Sequence, residues 1–343
     1  MDVSGRPVWE DTVTAADLAA LDPGPPDELP RTPDVLVVGG GQIGLAIAAA
    51  CRRGGFGSVL LIEKQRLAAG PSGRNGGFLV PAAHRNWGEA WVGLAQRSLD
   101  LHRAIDEEWG GGLRNLDVVI LPDTVLENQA HIDPLRLGAA YAREAGVVAS
   151  RVEALSIDID AEKVVRVSTS HGVVEPGAVV FATGSAPAEC GQIRQGFVKG
   201  HLIATEPARF TVDRMLITLG VGIAPLADGR LICGGTEDYG DETLPIAHEP
   251  IAALRHALIT AVPEAEALDI THKWCCFRPH NDDHMPVIDR LPGAANAWVV
   301  SGLFKTGLLM APVIGELVTE WISTGASPSA ALSFGLARIA VEV

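Results

Sequence analysis

Residues 34–63 read DVLVVGGGQIGLAIAAACRRGGFGSVLLIE, and this stretch decides the fold. A short apolar run leads into a glycine turn in which Gly39, Gly41 and Gly44 have the spacing G-x-G-x-x-G. Small and apolar residues suited to a closely packed helix follow, and a second apolar run ends at Glu63. The pattern predicts a strand, a tight turn, a helix and a second strand, which together form the βαβ unit that binds dinucleotides.

Each residue of this motif has its own physical reason. Gly39 lets the chain turn sharply, Gly41 leaves room for a pyrophosphate near the backbone, and Gly44 lets the helix pack closely on the strand. The helix N-terminus directs N–H groups and a partial positive charge at the phosphates. Glu63 stands about 20 positions further on, where an acid accepts hydrogen bonds from an adenosine ribose. An acid there favours FAD or NAD over NADP, and the alternative to a dinucleotide site is a plain βαβ packing unit.

The composition excludes several classes of function. The chain has 343 residues, enough for about two domains of ~150 residues each. Its 42 acidic and 27 basic residues give a net charge of −15, which argues against a nucleic-acid partner and against anionic membrane surfaces. No apolar run is long enough to span a bilayer and the first 30 residues lack a secretory signal, so we expect a cytoplasmic protein.

The cysteines and histidines do not indicate a metal site or a disulfide framework. The five cysteines form no C-x-x-C pair and no cluster with the spacing of a zinc site. His280 and His284 are too isolated to suggest a metal site, and the polar run Asn281-Asp282-Asp283 between them is expected to form a turn. We therefore expect no bound metal.

The order of elements predicts an α/β protein with a Rossmann-type, three-layer domain and a second α+β domain built on an antiparallel sheet. Residues 1–33 form a lead segment whose proline-rich part, residues 22–31, cannot be regular structure. The cofactor-binding domain is expected to be discontinuous, comprising residues 34–85, 130–199 and 279–343. The substrate domain is expected to comprise residues 86–129 and 200–278, where short strand-like runs are joined by tight turns.

Four motifs resemble the FAD-dependent oxidoreductases of the D-amino-acid oxidase type, which include glycine oxidases, sarcosine oxidases and D-amino-acid dehydrogenases. They are the βαβ unit ending in Glu63-Lys64, SGRNGG at residues 72–77, FATG at residues 181–184, and the pair FRPHNDDHMPVID and SGLFKTGLLMAP near the C-terminal end. The resemblance extends from Asp34 to the last helix and implies FAD as the cofactor.

The resemblance implies a set of contacts to FAD. The ADP half would be held by the first glycine turn and the end of the second strand: Gly39, Gly41, Gln42, Ile43, Gly44, Glu63 and Lys64. The flavin would be lined by residues of the second glycine loop and the strand after it: Ser72, Gly73, Gly77, Phe78 and Leu79. Asn75 and Gly76 of the same loop would also contact the cofactor. The strand that closes with Ala182, Thr183 and Gly184 is suited to pass under it. The backbone of Val152 would face the adenine. The isoalloxazine would be capped by the last glycine turn: Gly302, Phe304, Lys305, Thr306, Gly307 and Leu308.

Two basic residues are the candidate catalytic residues. Arg278 stands where glycine-oxidase-like members keep the arginine that pairs with the substrate carboxylate, and a guanidinium suits that task because it offers two parallel hydrogen bonds. The alternative role for Arg278 is a surface or inter-domain salt bridge. Lys305 matches a basic position beside the flavin and would bind substrate, raise the flavin potential or assist oxygen, unless it points to solvent.

Cys276 stands near the position of the cysteine that sarcosine oxidases link covalently to flavin. The alternative, a buried thiol behaving as a small apolar residue, is favoured, so FAD is expected to bind non-covalently.

The predicted reaction is oxidation of the C–N bond of an amino acid or secondary amine by hydride transfer to flavin N5, which gives an imine that water hydrolyses. Oxygen or another electron acceptor would complete the cycle. One alternative is a flavin-bearing subunit of a multi-chain amine- or opine-type dehydrogenase that passes electrons to a partner. Another is a NAD-dependent two-domain dehydrogenase. A homo-oligomer is compatible with each of these.

Overall fold

The computed structural model describes residues 4–191 and 193–339. The helices are α1 Ala15–Leu21, α2 Gln42–Arg53, α3 Glu89–Trp109, α4 Pro134–Glu144, α5 His248–Ala261 and α6 Gly307–Thr324. The strands are β1 Val35–Val38, β2 Val59–Glu63, β3 Phe78–Leu79, β4 Leu113–Ile120, β5 Thr124–Ile132, β6 Val147–Ser150, β7 Ala154–Asp160, β8 Lys163–Thr169, β9 Gly172–Val174, β10 Ala178–Gly184, β11 Gln195–Thr205, β12 Met215–Thr218, β13 Val221–Pro225, β14 Leu231–Gly234, β15 Asp238–Tyr239, β16 Ile270–Asn281, β17 Val287–Arg290 and β18 Ala297–Ser301.

The first sheet has the strand order β17-β18-β10-β1-β2-β6 and is parallel except for β17. Val35 and Val37 on one face pack against helices α2 and α6, because successive side chains of a strand alternate between faces. Leu36 on the other face packs against Val164 and Val167 of the three-stranded sheet β7-β8-β9. The parallel sheet therefore lies between a helical layer and a small sheet, which confirms the predicted three-layer Rossmann-type arrangement.

The second sheet has the strand order β15-β11-β14-β13-β12-β4-β5-β3, and β16 pairs with β11 along its other edge. Helix α5 packs on one face through Leu254 and Leu258. The predicted antiparallel sheet is confirmed apart from one parallel pair, β4 with β12, whose strands come from distant segments and are not joined by a hairpin. The domain boundaries stay a prediction.

The lead segment contains a helix that the sequence analysis missed. Thr14 and Asp17 form a capping box at the start of α1, in which each side chain accepts the other residue's backbone N–H. The pattern T-x-x-D at residues 14–17 is the local sequence signal for this helix. Val8 and Trp9 are buried, so this part of the lead is packed into the molecule and does not only cover its surface.

Helix α3 supplies hydrogen bonds to the part of α6 where Pro312 interrupts the helical hydrogen-bonding pattern. Proline has no N–H, so the carbonyl of Leu308 loses its helical partner. The Nε2 of His102 donates to that carbonyl at 3.0 Å. The hydroxyl of Ser98 donates to the Leu309 carbonyl at 2.6 Å and accepts the N–H of Val313 at 3.3 Å. One turn of α3 thus satisfies the backbone at the start of α6.

No helix in the described part of the chain is both long enough and apolar enough to cross a membrane.

The burial of His102 predicts a pH-dependent stability. Burial lowers the pKa of His102 to about 4, from an ordinary value near 6.5, so the folded protein holds this ring neutral. The unfolded chain binds the proton between these two values, and stability must fall as the pH drops below about 6.5. At pH 5 the loss from His102 is about 2 kcal/mol.

The measurement is urea unfolding at pH 7 and pH 5 of the wild type and of His102→Gln, which keeps an N–H donor but does not titrate. The variant should lose about 2 kcal/mol less than the wild type between the two pH values. His171→Gln removes an exposed histidine and should behave like the wild type. Equal pH dependence in His102→Gln and the wild type would contradict this assignment.

Candidate cofactor and substrate site

A cavity of about 790 Å³ is lined by residues of both sheets. One end is formed where β1, β2 and β10 finish, and the other by β11, β13, β14, β16 and the start of α6. A cavity of this volume is in the range of cofactor and ligand sites.

The first glycine turn leaves no room for side chains. Gly39 has φ +112°, and a Cβ there would lie 2.4 Å from the carbonyl oxygen of Ala182. A Cβ on Gly44 would lie 1.9 Å from the carbonyl oxygen of Gly39. A Cβ on Gly41 would lie 2.9 Å from the hydroxyl of Ser72. The turn therefore keeps α2 pressed against β1 and leaves bare backbone facing the cavity.

Glu63 is held at the edge of the cavity by backbone N–H groups. Its carboxylate accepts from Gly40 N at 2.7 Å and from Gln65 N at 2.8 Å. Its carbonyl accepts from Val152 N at 2.8 Å, which brings Val152 into the same wall. A carboxylate has about four acceptor positions, so Glu63 retains capacity for a further donor.

The second glycine loop, residues 72–77, is fastened by its own amide and by the lead segment. Asn75 donates to the Ser72 carbonyl at 2.7 Å and accepts from Gly77 N at 2.9 Å. Trp9 is buried and donates its indole N–H to the Asn75 carbonyl at 2.8 Å. Arg74, also buried, donates to the carbonyl of Ser4 at 2.7 Å. The lead therefore acts as a clasp on a loop that lines the cavity.

The N-terminus of α6 meets the other end of the cavity. Gly307 and Leu308 line the cavity, and no side chain caps this helix terminus. The turn before it requires left-handed backbone at Gly302, with φ +66°, and at Phe304, with φ +47°. A non-glycine residue in this conformation is unusual and costs about 1–3 kcal/mol unless its surroundings enforce it.

These features fit FAD. The ribose hydroxyls of the adenosine need an acceptor such as Glu63, and the diphosphate needs the bare N-terminus of α2. The electron-rich edge of the flavin suits the uncapped N-terminus of α6, because the helix dipole adds partial positive charge there.

The structure brings most of the predicted site residues to this cavity. Its lining includes Gly39, Gly41, Ile43, Glu63, Lys64, Ser72, Asn75, Gly76, Gly77, Phe78, Val152, Ala182, Thr183, Gly184, Arg278, Phe304, Lys305, Gly307 and Leu308. Six others lie behind the lining and shape it: Gln42, Gly44, Gly73, Leu79, Gly302 and Thr306.

The guanidinium of Arg278 packs against the backbone of Gly200. Arg278 stands on β16 opposite Val198, and a Cβ on Gly200 would lie 2.1 Å from its Nη2. Its Nη1 donates to the Thr236 carbonyl at 2.8 Å. Gly200 and Thr236 together fix the plane of the guanidinium while it lines the cavity.

The segment that supplies Thr236 is tied to the back of the sheet by two fully buried basic side chains. Lys199 donates to the Asp241 carboxylate at 2.9 Å and to the Pro245 carbonyl at 2.7 Å. His201 has Nδ1 2.8 Å from the Asp238 carboxylate, and its Nε2 accepts the N–H of Ala247 at 3.1 Å. Burial lowers the pKa of His201, against the opposite effect of Asp238, so a neutral ring suits these contacts.

Lys305 forms an ion pair with Glu237 on the same segment. Lys305 lines the cavity, and its ammonium is directed to a protein carboxylate rather than to solvent alone.

Cys276 also lines the cavity and is buried. Burial raises the pKa of its thiol, although the charges of Arg278 and Arg74 oppose this. A protonated thiol is a poor nucleophile, which supports non-covalent FAD.

Sequence reasoning missed Gly200, Thr236 and Glu237, which position the two cations. The available signal was the run Gly-Gly-Thr-Glu at residues 234–237, which directly follows a strand. In the described part of the chain no group of three His, Cys, Asp or Glu side chains could hold a metal ion.

The chain is similar in sequence to known FAD-dependent proteins. The family model described as FAD dependent oxidoreductase matches residues 34–125 and 119–321. The chain is 24% identical over 347 residues to glycine oxidase of Pseudomonas aeruginosa, covering 84% of this chain and 94% of that protein. It is 25% identical over 223 residues to hydrogen cyanide synthase subunit HcnC of the same species, covering 62% and 53%.

The crystal structure of glycine oxidase from Geobacillus kaustophilus is similar in fold, with a TM-score of 0.81 and 21% identity, covering 91% of this chain and 100% of that one. At this identity the likeness establishes the fold alone.

The clasp predicts a measurable effect on cofactor retention. Trp9→Phe removes the indole N–H that holds the Asn75 carbonyl, so the loop at residues 72–77 should loosen and FAD should dissociate more readily. A buried hydrogen bond of ~1–1.5 kcal/mol corresponds to about a tenfold weaker FAD affinity. The measurement is the dissociation constant of FAD, followed by flavin fluorescence.

Trp298→Phe is the matched control. Trp298 is also buried, and its indole N–H has no hydrogen-bond partner among the described residues. It should keep wild-type FAD affinity. Equal FAD affinities for Trp9→Phe and Trp298→Phe would show that the hydrogen bond from Trp9 to the loop does not contribute to FAD binding.

Proposed function

We infer the function from the family to which this chain belongs, the FAD-dependent oxidoreductases of the amino-acid oxidase type. The chain is therefore an FAD-dependent enzyme, and the choice between FAD and NAD that the first glycine turn left open falls to FAD. We propose that it oxidises the C–N bond of an amino acid or of a secondary amine that carries a carboxylate. Arg278 carries this proposal, because it is the arginine that lies against Gly200 at the second-sheet end of the cavity.

Arg278 would bind the substrate carboxylate. The Thr236 carbonyl accepts from Nη1 alone, so other N–H groups of the guanidinium remain for a ligand. The backbone of Gly200 and Thr236 holds the plane of the group before the substrate arrives, which reduces the entropy lost on binding. A carboxylate fixed in this way places the adjacent carbon and nitrogen in one orientation.

The described lining of the cavity supplies orientation and charge but no evident base. At the second-sheet end of the cavity, the charged side chains in the described lining are Arg278 and Lys305. Both favour an anionic ligand and disfavour an ammonium, so the site should select the neutral amine of the substrate. The chemistry that FAD supplies when bound is acceptance of a hydride from the carbon beside the amine, which leaves an imine for water to hydrolyse.

The residues proposed to hold FAD are those already placed on the cavity. Glu63 and the N-terminus of α2 would hold the ADP half, and the 72–77 loop with the start of α6 would hold the flavin. Val80, Val300 and Leu309 also line the cavity, and their apolar side chains would keep water away from a bound flavin.

A second candidate is a flavin-bearing subunit that passes electrons to a partner chain. The similarity to a protein named as a hydrogen cyanide synthase subunit favours it. The two candidates differ in the electron acceptor. If oxygen alone reoxidises the reduced flavin as fast as the enzyme turns over, the chain is an independent oxidase. Reoxidation by oxygen that is much slower than turnover supports the subunit.

The proposal predicts that Arg278→Lys impairs carboxylate binding although it keeps the charge. Lysine loses the planar pair of donors, so KM for an amino-acid substrate should rise roughly 10- to 100-fold, with a smaller change in kcat. Gly200→Ala should have a similar effect, because the new methyl group would displace the guanidinium. The measurement is the concentration dependence of anaerobic flavin reduction.

Arg214→Lys is the control, since Arg214 is an exposed residue paired with its neighbour Asp213. It should retain the wild-type KM. If Arg278→Lys and Arg214→Lys both match the wild type, Arg278 does not bind the substrate carboxylate.

A further inference from the structure

Two adjacent residues contact both cations of the cavity. The carbonyl of Thr236 accepts from Arg278, and the carboxylate of Glu237 pairs with Lys305. The pair Thr236-Glu237 therefore links the two basic groups at the second-sheet end of the cavity. This part of the cavity, lined by Arg278 and Lys305, is called the substrate end below. Glu237 is the one member of this link that carries a negative charge.

Glu237 is held in place from a second side. Its other carboxylate oxygen accepts from the hydroxyl of Tyr239 at 3.2 Å. Its side chain is 33% exposed and that of Lys305 is 28% exposed, so water screens the pair only in part. Burial alone would raise the pKa of Glu237, but Lys305, with Tyr239 and Arg278, outweighs this and lowers it, so Glu237 is ionised at neutral pH.

The net charge at this end of the cavity is the sum of three side-chain charges. Arg278 and Lys305 contribute two positive charges, and Glu237 cancels one of them. One net positive charge remains, which matches one substrate carboxylate. Without Glu237 the site would hold two positive charges beside the flavin, and it would bind any anion more tightly, including an oxo-acid product.

We propose that Glu237 is a positioning residue that fixes Lys305 at the cavity wall and sets the net charge, and thereby the anion affinity, of the substrate end. This role rests on the proposed function, because it assumes that FAD lies beside Lys305 and that Arg278 receives a carboxylate. It differs from a surface ion pair, which would stabilise the fold without changing the binding of anions.

The test is the binding of sulfite to the FAD-loaded protein. Sulfite is a small anion that adds reversibly to a flavin and bleaches its visible absorbance. Its dissociation constant therefore reports, without any turnover, how strongly positive charge at this end of the cavity stabilises an anion beside the flavin. Glu237→Gln should lower this constant about tenfold at low ionic strength, and the effect should shrink as salt is added. Glu237→Asp keeps the charge and should stay near the wild type.

Two further variants make the comparison specific. Glu242→Gln removes an exposed carboxylate from the same loop and should leave the sulfite constant unchanged. In a Lys305→Met background, Glu237→Gln should have a clearly smaller effect, because the ammonium that Glu237 balances is gone. Equal sulfite constants for Glu237→Gln and the wild type, or the same tenfold change in the Lys305→Met background, would overturn the proposal.

Failure of this proposal is distinguishable from failure of the proposed function. Sulfite binding needs bound FAD but no substrate. If no carboxylate-bearing amine reduces the flavin, the function fails while the sulfite comparison still reports on Glu237. If the sulfite constants are equal, the role of Glu237 fails while the Arg278 result stands.

Discussion

A side chain at Gly44 would place its Cβ 1.9 Å from the carbonyl oxygen of Gly39, and the cavity depends on this contact. Because the position is bare, helix α2 lies directly against the end of β1, and its N-terminus opens at the cavity. Gly39 is equally constrained by the backbone of Ala182, so β1, α2 and β10 meet at one point. A dinucleotide diphosphate can reach helix N–H groups only where backbone is exposed in this way.

The opposite end of the cavity is built by long-range polar contacts. Arg278 lies against Gly200 and is held by the Thr236 carbonyl. The segment that carries Thr236 is anchored from behind by the buried side chains of Lys199 and His201. Buried polar side chains that do not face the cavity thus position a charge that does. Orientation of this kind can favour one reactive geometry although the described lining of the cavity holds no evident base.

The sequence allowed prediction of whatever is encoded within a short stretch. The βαβ unit and the glycine loop at residues 72–77 depend on neighbours in the chain, and their signals are local. The contact between Trp9 and Asn75 joins residues far apart in sequence, and so does the repair of the Pro312 gap by Ser98 and His102. No periodicity or motif announces such pairs, because they exist only once the elements have packed. Glu237 follows the Gly-Gly-Thr run at residues 234–236, but that run does not show that its carboxylate pairs with the distant Lys305.

The central claim is that this cavity holds FAD and oxidises an amine that Arg278 holds by its carboxylate. The most direct measurement is the visible flavin absorbance of the purified protein under anaerobic conditions, with a panel of amino acids and their decarboxylated counterparts added in turn. We expect at least one amino acid to bleach the flavin absorbance. The amine that lacks the carboxylate of that amino acid should cause little or no bleaching. Bleaching of equal rate by both members of the pair, or no bleaching by any carboxylate-bearing amine, would contradict it.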